Sequence, residues 1–171
     1  MNTKTKALLK EYATRYETEA FLKDDPARFM HLVQGANNQE TMAFIAANLS
    51  YGNRKQFFPK INFVLEKSQG DPYNWVKSGL FEQDIPPTDD CYYRLYTKRM
   101  MNSFLKTLQK LFSEHHTLHQ YIQATGTNDA EKAVIAICKY FAEHGQEGIV
   151  PINARSACKR ICMFLRWMVR D

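Results

Sequence analysis

No stretch of this sequence stays apolar long enough to cross a bilayer: wholly apolar runs such as Val134 to Cys138 fall far short of the roughly 20 residues a spanning helix needs. The N-terminus also lacks the apolar core of a signal peptide. A soluble, cytoplasmic protein with no membrane partner is therefore expected. Phosphate loops, Gly-x-Gly-x-x-Gly, His-Glu-x-x-His and Gly-x-Ser-x-Gly are all missing, which removes the common nucleotide, zinc-protease and hydrolase classes. Cysteine is scarce. The four present, Cys91, Cys138, Cys158 and Cys162, include one pair four residues apart, with no Cys-x-x-Cys or His-x-His nearby to complete a zinc site. They read as small buried hydrophobes in a reducing compartment. His115, His116 and His119 read as exposed histidines near a helix end. No cofactor and no metal ion is expected.

Period-two alternation is missing as well, and every convincing pattern has helical spacing. Leu8, Leu9, Tyr12 and Tyr16 mark a first helix. Asp25 as N-cap and Pro26 in the first turn open a second, which stops at Gly35. A nearly all-apolar segment from Glu40 to Leu49 reads as a central buried helix, ending in Ser50-Tyr51-Gly52-Asn53-Arg54. Phe57, Phe58, Ile61, Val64 and Leu65 continue at helical spacing, but Pro59 lies among them and predicts a kink or restart. Asp71-Pro72 begins a short helix through Trp75, and residues 79–91 are the most loop-like. Thr97 caps a long helix with the stripe Met101, Phe104, Leu105, Leu108, Leu111 and Phe112; a shorter one spans about Thr117 to Ala124. Asn128 caps a helix that ends at Gly145. The fold class is all-α, an orthogonal multi-helix bundle in one domain over residues 1–171.

The formal net charge of +5 is unevenly placed. Residues 1–152 hold 18 basic and 17 acidic side chains, whereas residues 153–171 hold 5 and 1. Other basic clusters are Arg94, Lys98, Arg99, Lys106 and Lys110, with no acid within them, and Arg54, Lys55, Lys60 and Lys67 against Glu66. Acids gather at Asp71, Glu82, Asp84, Asp89 and Asp90. Segregation of this kind suits a polyanion, and a solvated helix face produces lysine runs too.

The last segment, Arg155 to Asp171, is the most informative. At 100° per residue Lys159, Arg166 and Arg170 fall within about 40° of one another, with Arg160 a quarter-turn away. The remaining circumference is apolar, so one narrow basic stripe runs along an otherwise buried helix. Lys159, in the first turn, is either partly desolvated, which favours a neutral and nucleophilic amine, or extended to water along its apolar stem. From about residue 128 to 171 the pattern is a helix, a turn with Gly145, Gly148, Pro151 and Asn153, then a helix capped by Ser156. Such a helix-turn-helix unit presents backbone amides to a phosphate.

Ala46-Ala47-Asn48-Leu49-Ser50-Tyr51-Gly52-Asn53-Arg54 and Ser156-Ala157-Cys158-Lys159-Arg160-Ile161-Cys162-Met163-Phe164-Leu165-Arg166-Trp167-Met168-Val169-Arg170 closely resemble the signature segments of a bacterial family known only as a domain of unknown function, number twenty-four hundred. That family looks like a distant relative of the helix-hairpin-helix DNA glycosylases, in particular the archaeal 8-oxoguanine glycosylase type. The resemblance implies DNA repair of a flipped nucleotide, with Lys159 in the place of the Schiff-base lysine. Two departures stand out. Val150-Pro151-Ile152-Asn153-Ala154-Arg155 replaces the glycine-rich hairpin turn, and the assisting aspartate of those enzymes falls beyond Asp171. The chain is accordingly read as truncated, or as completed by a neighbouring copy, and as inactive in this form.

Three functions remain open on the sequence. In the first, the protein is a base-excision glycosylase/lyase on duplex DNA: Lys159 is the amine, Arg155, Ser156, Arg160 and Arg166 meet nucleic acid, and the loop with Tyr51, Asn53 and Arg54 lies near the extruded base. In the second, it is a non-catalytic helical domain that binds nucleic acid or a protein, and Lys159, Arg166 and Arg170 pair with acids. In the third, it is a structural part of a longer enzyme. The sequence leaves oligomeric state open.

Overall fold

Residues 36–49 hold a dense run of small and apolar side chains, and they form the helix around which the rest is built. The computed structural model describes residues 2–16, 18–127 and 129–169. In chain order these give α1 (Thr3–Tyr16), α2 (Glu19–Leu22), a 3-10 segment (Pro26–Leu32), α3 (Ala36–Leu49), α4 (Arg54–Lys67), α5 (Pro72–Lys77) and α6 (Phe81–Asp84). A hairpin of β1 (Cys91–Tyr93) and β2 (Tyr96–Thr97) follows, then α7 (Lys98–His115), α8 (Leu118–Ala124), α9 (Ala130–Glu143) and α10 (Lys159–Met168). The all-α expectation holds apart from the antiparallel hairpin, in which Cys91 pairs with Thr97 and Tyr93 with Tyr96. Two strands this short carry too little alternation to register as strands.

In α3 every residue from Glu40 to Leu49 is buried. The aromatic ring of Phe44 meets Phe104 of α7 at 5.8 Å, Phe141 of α9 at 5.4 Å and Phe164 of α10 at 5.1 Å between centroids, so one side chain joins four helices. The predicted stripe of α7, from Met101 to Phe112, is fully buried. No described helix is long and apolar enough to cross a membrane.

Short polar side chains set the helix starts by accepting orphan backbone N–H bonds. Asn53 caps α4, Asp71 caps α5, Thr97 caps α7 and Thr117 caps α8. Asp25 caps as expected, but the segment it opens is 3-10 and not α. For α9 the capping side chain is Asp129, which accepts from Glu131 N at 2.7 Å; the expected cap, Asn128, lies outside the described residues. Pro59 stands inside α4 and does not restart it: one helix runs from Arg54 to Lys67.

Glu40 ties the centre to the periphery. Its carboxylate, 5% exposed, accepts from Leu118 N at 2.9 Å and His119 N at 2.8 Å and so holds the start of α8 against α3. Burial raises its pKa above the ordinary 4.5, and the two backbone bonds offset only part of that.

The acidic tract is not a separate surface. It folds onto the cluster of Lys98, Arg99, Lys106 and Lys110: Asp90 pairs with Lys98 at 3.1 Å, Asp89 with Arg99 at 2.8 Å and Glu82 with Lys106 at 3.0 Å. Lys110 meets Glu114, and Asp84 meets Lys67. The charge segregation expected from linear order is thereby largely cancelled on this side, because acids and bases distant along the chain become neighbours.

Candidate nucleic-acid interface

The two signature segments, more than a hundred residues apart in sequence, come together. At the end of α3, Ser50 folds back: its N–H donates to Ala46 O and Ala47 O, and its hydroxyl donates to Ala46 O at 2.7 Å. Gly52 follows at φ +89°, and a Cβ there would collide with the Arg94 guanidinium. The backbone angle favours glycine, and any side chain there would also have to displace the flexible end of Arg94. Asn53 Oδ1 then accepts from Lys55 N at 2.9 Å and starts α4, whose first turn holds Arg54 and Lys55 and no acid.

The hairpin clamps this loop and the start of α10 at once. Tyr93 OH donates to Tyr51 O, and the Arg94 guanidinium lies 5.0 Å from the Tyr51 ring centroid. On the other side Arg160, half-buried, donates from Nη1 to Asn48 O at 3.0 Å and to Tyr96 OH. Asn48 is wholly buried, and its amide donates to Phe44 O at 2.9 Å. Arg160 is therefore a clasp between the two signature segments.

Lys159 precedes this clasp by one residue. It is exposed, and it enters no hydrogen bond or ion pair among the described residues. The partly desolvated amine considered from sequence is thus replaced by the alternative, a side chain reaching into water. The cap also differs: the N-cap of α10 is Cys158, in the left-handed region at φ +41°, ψ +40° and with no side-chain cap bond. Ser156 lies two residues earlier, and its hydroxyl accepts from Cys158 N at 3.3 Å. The helix starts two residues later than a Ser156 cap would put it, because the serine supports the turn before the helix and not the helix itself.

The remaining expected site residues divide by position. Tyr51, Asn53, Arg54, Arg155, Ser156 and Arg166 are exposed. Arg155 sits in the turn before α10, where its N–H donates to Asn153 Oδ1 at 3.0 Å. Arg170 and Asp171 lie outside the described residues. Whereas the cations of α7 are matched by acids, none of Arg54, Lys55, Arg94, Arg155, Lys159, Arg160 and Arg166 is in an ion pair among the described residues. The described residues hold no group of three or more His, Cys, Asp or Glu placed to bind a metal ion.

The sequence places Arg94 only in a basic cluster with Lys98 and Arg99 and does not single out Tyr93 or Tyr96; the aromatic density of Cys91-Tyr92-Tyr93-Arg94-Leu95-Tyr96 is the available signal. Nor does the sequence single out Gln146. Inside the turn between α9 and α10, this buried side chain accepts from Ile149 N and Val150 N and donates to Val150 O at 2.7 Å. It takes over the ordering of a turn that has no glycine-rich motif.

Residues 25–171 match the family described as "Protein of unknown function (DUF2400)", and the chain belongs to that family. No curated protein and no solved structure gives a significant match.

Proposed function

We propose that this face binds duplex DNA and serves a base-excision reaction of glycosylase/lyase type in which Lys159 supplies the amine. One juxtaposition carries the reading: α4 opens on Arg54-Lys55 and α10 on Lys159-Arg160, neither first turn holds an acid, and both starts abut the same hairpin. Cations at a helix N-terminus oppose the helix dipole and weaken the fold slightly. Folding stability therefore does not account for them, while an arriving phosphate takes up both the dipole and the charge.

In this reading Arg54, Lys55, Arg94 and Arg155 neutralise phosphates, with Ser156 and Arg166 at the margin. Asn53 fixes the loop, the exposed ring of Tyr51 offers a stacking surface to a base, and Arg160 acts by position. The resemblance to helix-hairpin-helix glycosylases supplies the reaction class and the expectation of their fold. With DNA bound, the Lys159 amine attacks C1′ of a flipped nucleotide: the new N–C bond forms as the bond to the base breaks, and the departing base takes the proton that the attacking nitrogen sheds. Opening of the sugar ring yields a Schiff base. The bound DNA closes over the exposed amine and excludes water from it.

Borohydride trapping tests this. Incubation with duplexes carrying an abasic site or an oxidised purine, plus borohydride, is expected to give a covalent adduct that Lys159→Ala abolishes. Because the side chain has no described partner, the same substitution should leave stability within about 0.5 kcal/mol of the parent. The exposure of Lys159 also favours a second reading, a non-catalytic nucleic-acid- or protein-binding domain. Salt-sensitive DNA binding without any adduct supports binding alone, and absence of DNA binding leaves only a protein partner.

A further inference from the structure

Three of the four cysteines gather at the start of α10, and the nucleic-acid reading makes no use of them. Cys138 of α9 is fully buried, Cys158 is 4% exposed, and their Sγ atoms stand 3.8 Å apart. A disulfide has its sulfurs at about 2.05 Å, so closure needs an approach of under about 2 Å. Cys158 sits at the N-cap, in a left-handed conformation, at the end of the exposed segment Ile152–Ala157. Within this same turn its Sγ also meets Ser156 Oγ at 3.5 Å and Asn153 O at 3.6 Å. Cys162, one turn into α10, is exposed. Its N–H donates to Cys158 O at 3.0 Å, which puts the two side chains on one face.

We propose that Cys138 and Cys158 form an oxidisable dithiol, closed to a disulfide by hydroperoxides that react first at Cys162. The pair is too shielded to meet an oxidant directly, and burial pushes the Cys138 thiol up to about 12, so Cys138 is not the group attacked first. In the first step the Cys162 thiolate takes one oxygen of hydrogen peroxide: the O–O bond breaks, hydroxide leaves, and a sulfenic acid forms. Cys158 as thiolate then attacks the Cys162 sulfur, expelling hydroxide, which is protonated to water, and a Cys158–Cys162 disulfide results. Finally Cys138 gives up its proton and attacks the Cys158 sulfur, returning Cys162 as thiolate. Overall two thiols lose two electrons and two protons, and one peroxide becomes two waters. The bond ties α9 to the residue next to Lys159 and fixes the intervening turn. It would form whether or not this face binds DNA.

The test is thiol mapping of the reduced, folded chain after exposure to hydrogen peroxide, with alkylation of remaining thiols under denaturing conditions and mass spectrometry of the digest. The expected product links the Cys138 and Cys158 peptides, with Cys91 and Cys162 alkylated, and dithiothreitol reverses it. Cys162→Ser should give the same product at least tenfold more slowly. The disulfide closes a 20-residue separation, and the oxidised chain should melt roughly 5 °C or more higher. Recovery of Cys138 fully alkylated, or accumulation of Cys158–Cys162 as the end product, overturns the proposal. An unchanged rate in Cys162→Ser overturns the role given to Cys162.

Discussion

Arg160 reaches across 112 residues of sequence to Asn48 O while its guanidinium also meets the Tyr96 hydroxyl. Both bonds leave one guanidinium nitrogen, Nη1, which arginine carries further from the backbone than lysine carries its ammonium, and Nη1 is held in a rigid plane that the point-charge ammonium lacks. Arg160→Lys should therefore destabilise by about 1–2 kcal/mol despite conserving charge. Combined with Tyr96→Phe in a double-mutant cycle, the two losses should couple by about 1 kcal/mol in urea melts. Strict additivity would mean that the Arg160–Tyr96 contact contributes nothing.

Glu40 makes a prediction in pH. Burial raises its folded pKa above the ordinary 4.5, so in the interval above 4.5 the folded chain holds a proton that the unfolded chain has released. Its contribution is fully present below that value and declines as pH rises through the folded one. Glu40→Gln can accept only one of the two N–H bonds from Leu118 and His119 and should be less stable by about 1–3 kcal/mol in acid. The gap between parent and variant should narrow as pH increases, measured by denaturant melts across a pH series. A gap that widens instead contradicts the assignment. Burial of this carboxylate was not legible in the sequence, where Glu40 reads as the polar edge of an apolar run; its partners lie 78 and 79 residues away.

At the scale of elements, some helix starts are legible in the sequence and others are not, for one physical reason. Asp25, Asp71, Thr97 and Thr117 cap through their own side chains, a local rule that the chain advertises. The start of α10 is set by a left-handed Cys158 with no cap bond, and nothing local predicts that. The hairpin escaped because five strand residues cannot show a period. Pairing of acids at 82, 89 and 90 with bases at 98, 99 and 106 escaped because it depends on how the hairpin turns back onto α7.

The first turns of α4 and α10 offer a substitution that separates stability from function. Lys55 is exposed at the second position of α4, where an acid suits the dipole. Lys55→Glu should raise stability by about 0.3–1 kcal/mol and weaken DNA binding at the same time, read by thermal melts and fluorescence anisotropy on one preparation. Natural chains keep such unfavourable charges where function needs them. A variant that binds DNA as well as the parent removes α4 from the interface.

Across the whole molecule, Phe44 and the burial of α3 organise the fold, and that part is legible: the all-apolar segment and the stripe of α7 sit where their spacing puts them. The candidate site was legible as two segments but not as one place. Its assembly rests on Arg160, Tyr93, Arg94 and Tyr96, whose contacts cross the fold. On this face two helix starts carry cations and no acid in their first turns, and those cations enter no ion pair among the described residues, whereas each of the four cations of α7 has an acidic partner.

That contrast is best measured by the salt dependence of duplex DNA affinity. The logarithm of the binding constant should fall linearly with the logarithm of salt concentration, and Arg54→Ala and Arg94→Ala should each flatten the slope by about 0.9, the loss of one neutralised phosphate. Lys106→Ala, which removes a cation already paired with Glu82, should leave the slope unchanged. Equal effects from all three substitutions, or affinity indifferent to salt, would contradict a DNA-binding face built from the two signature segments.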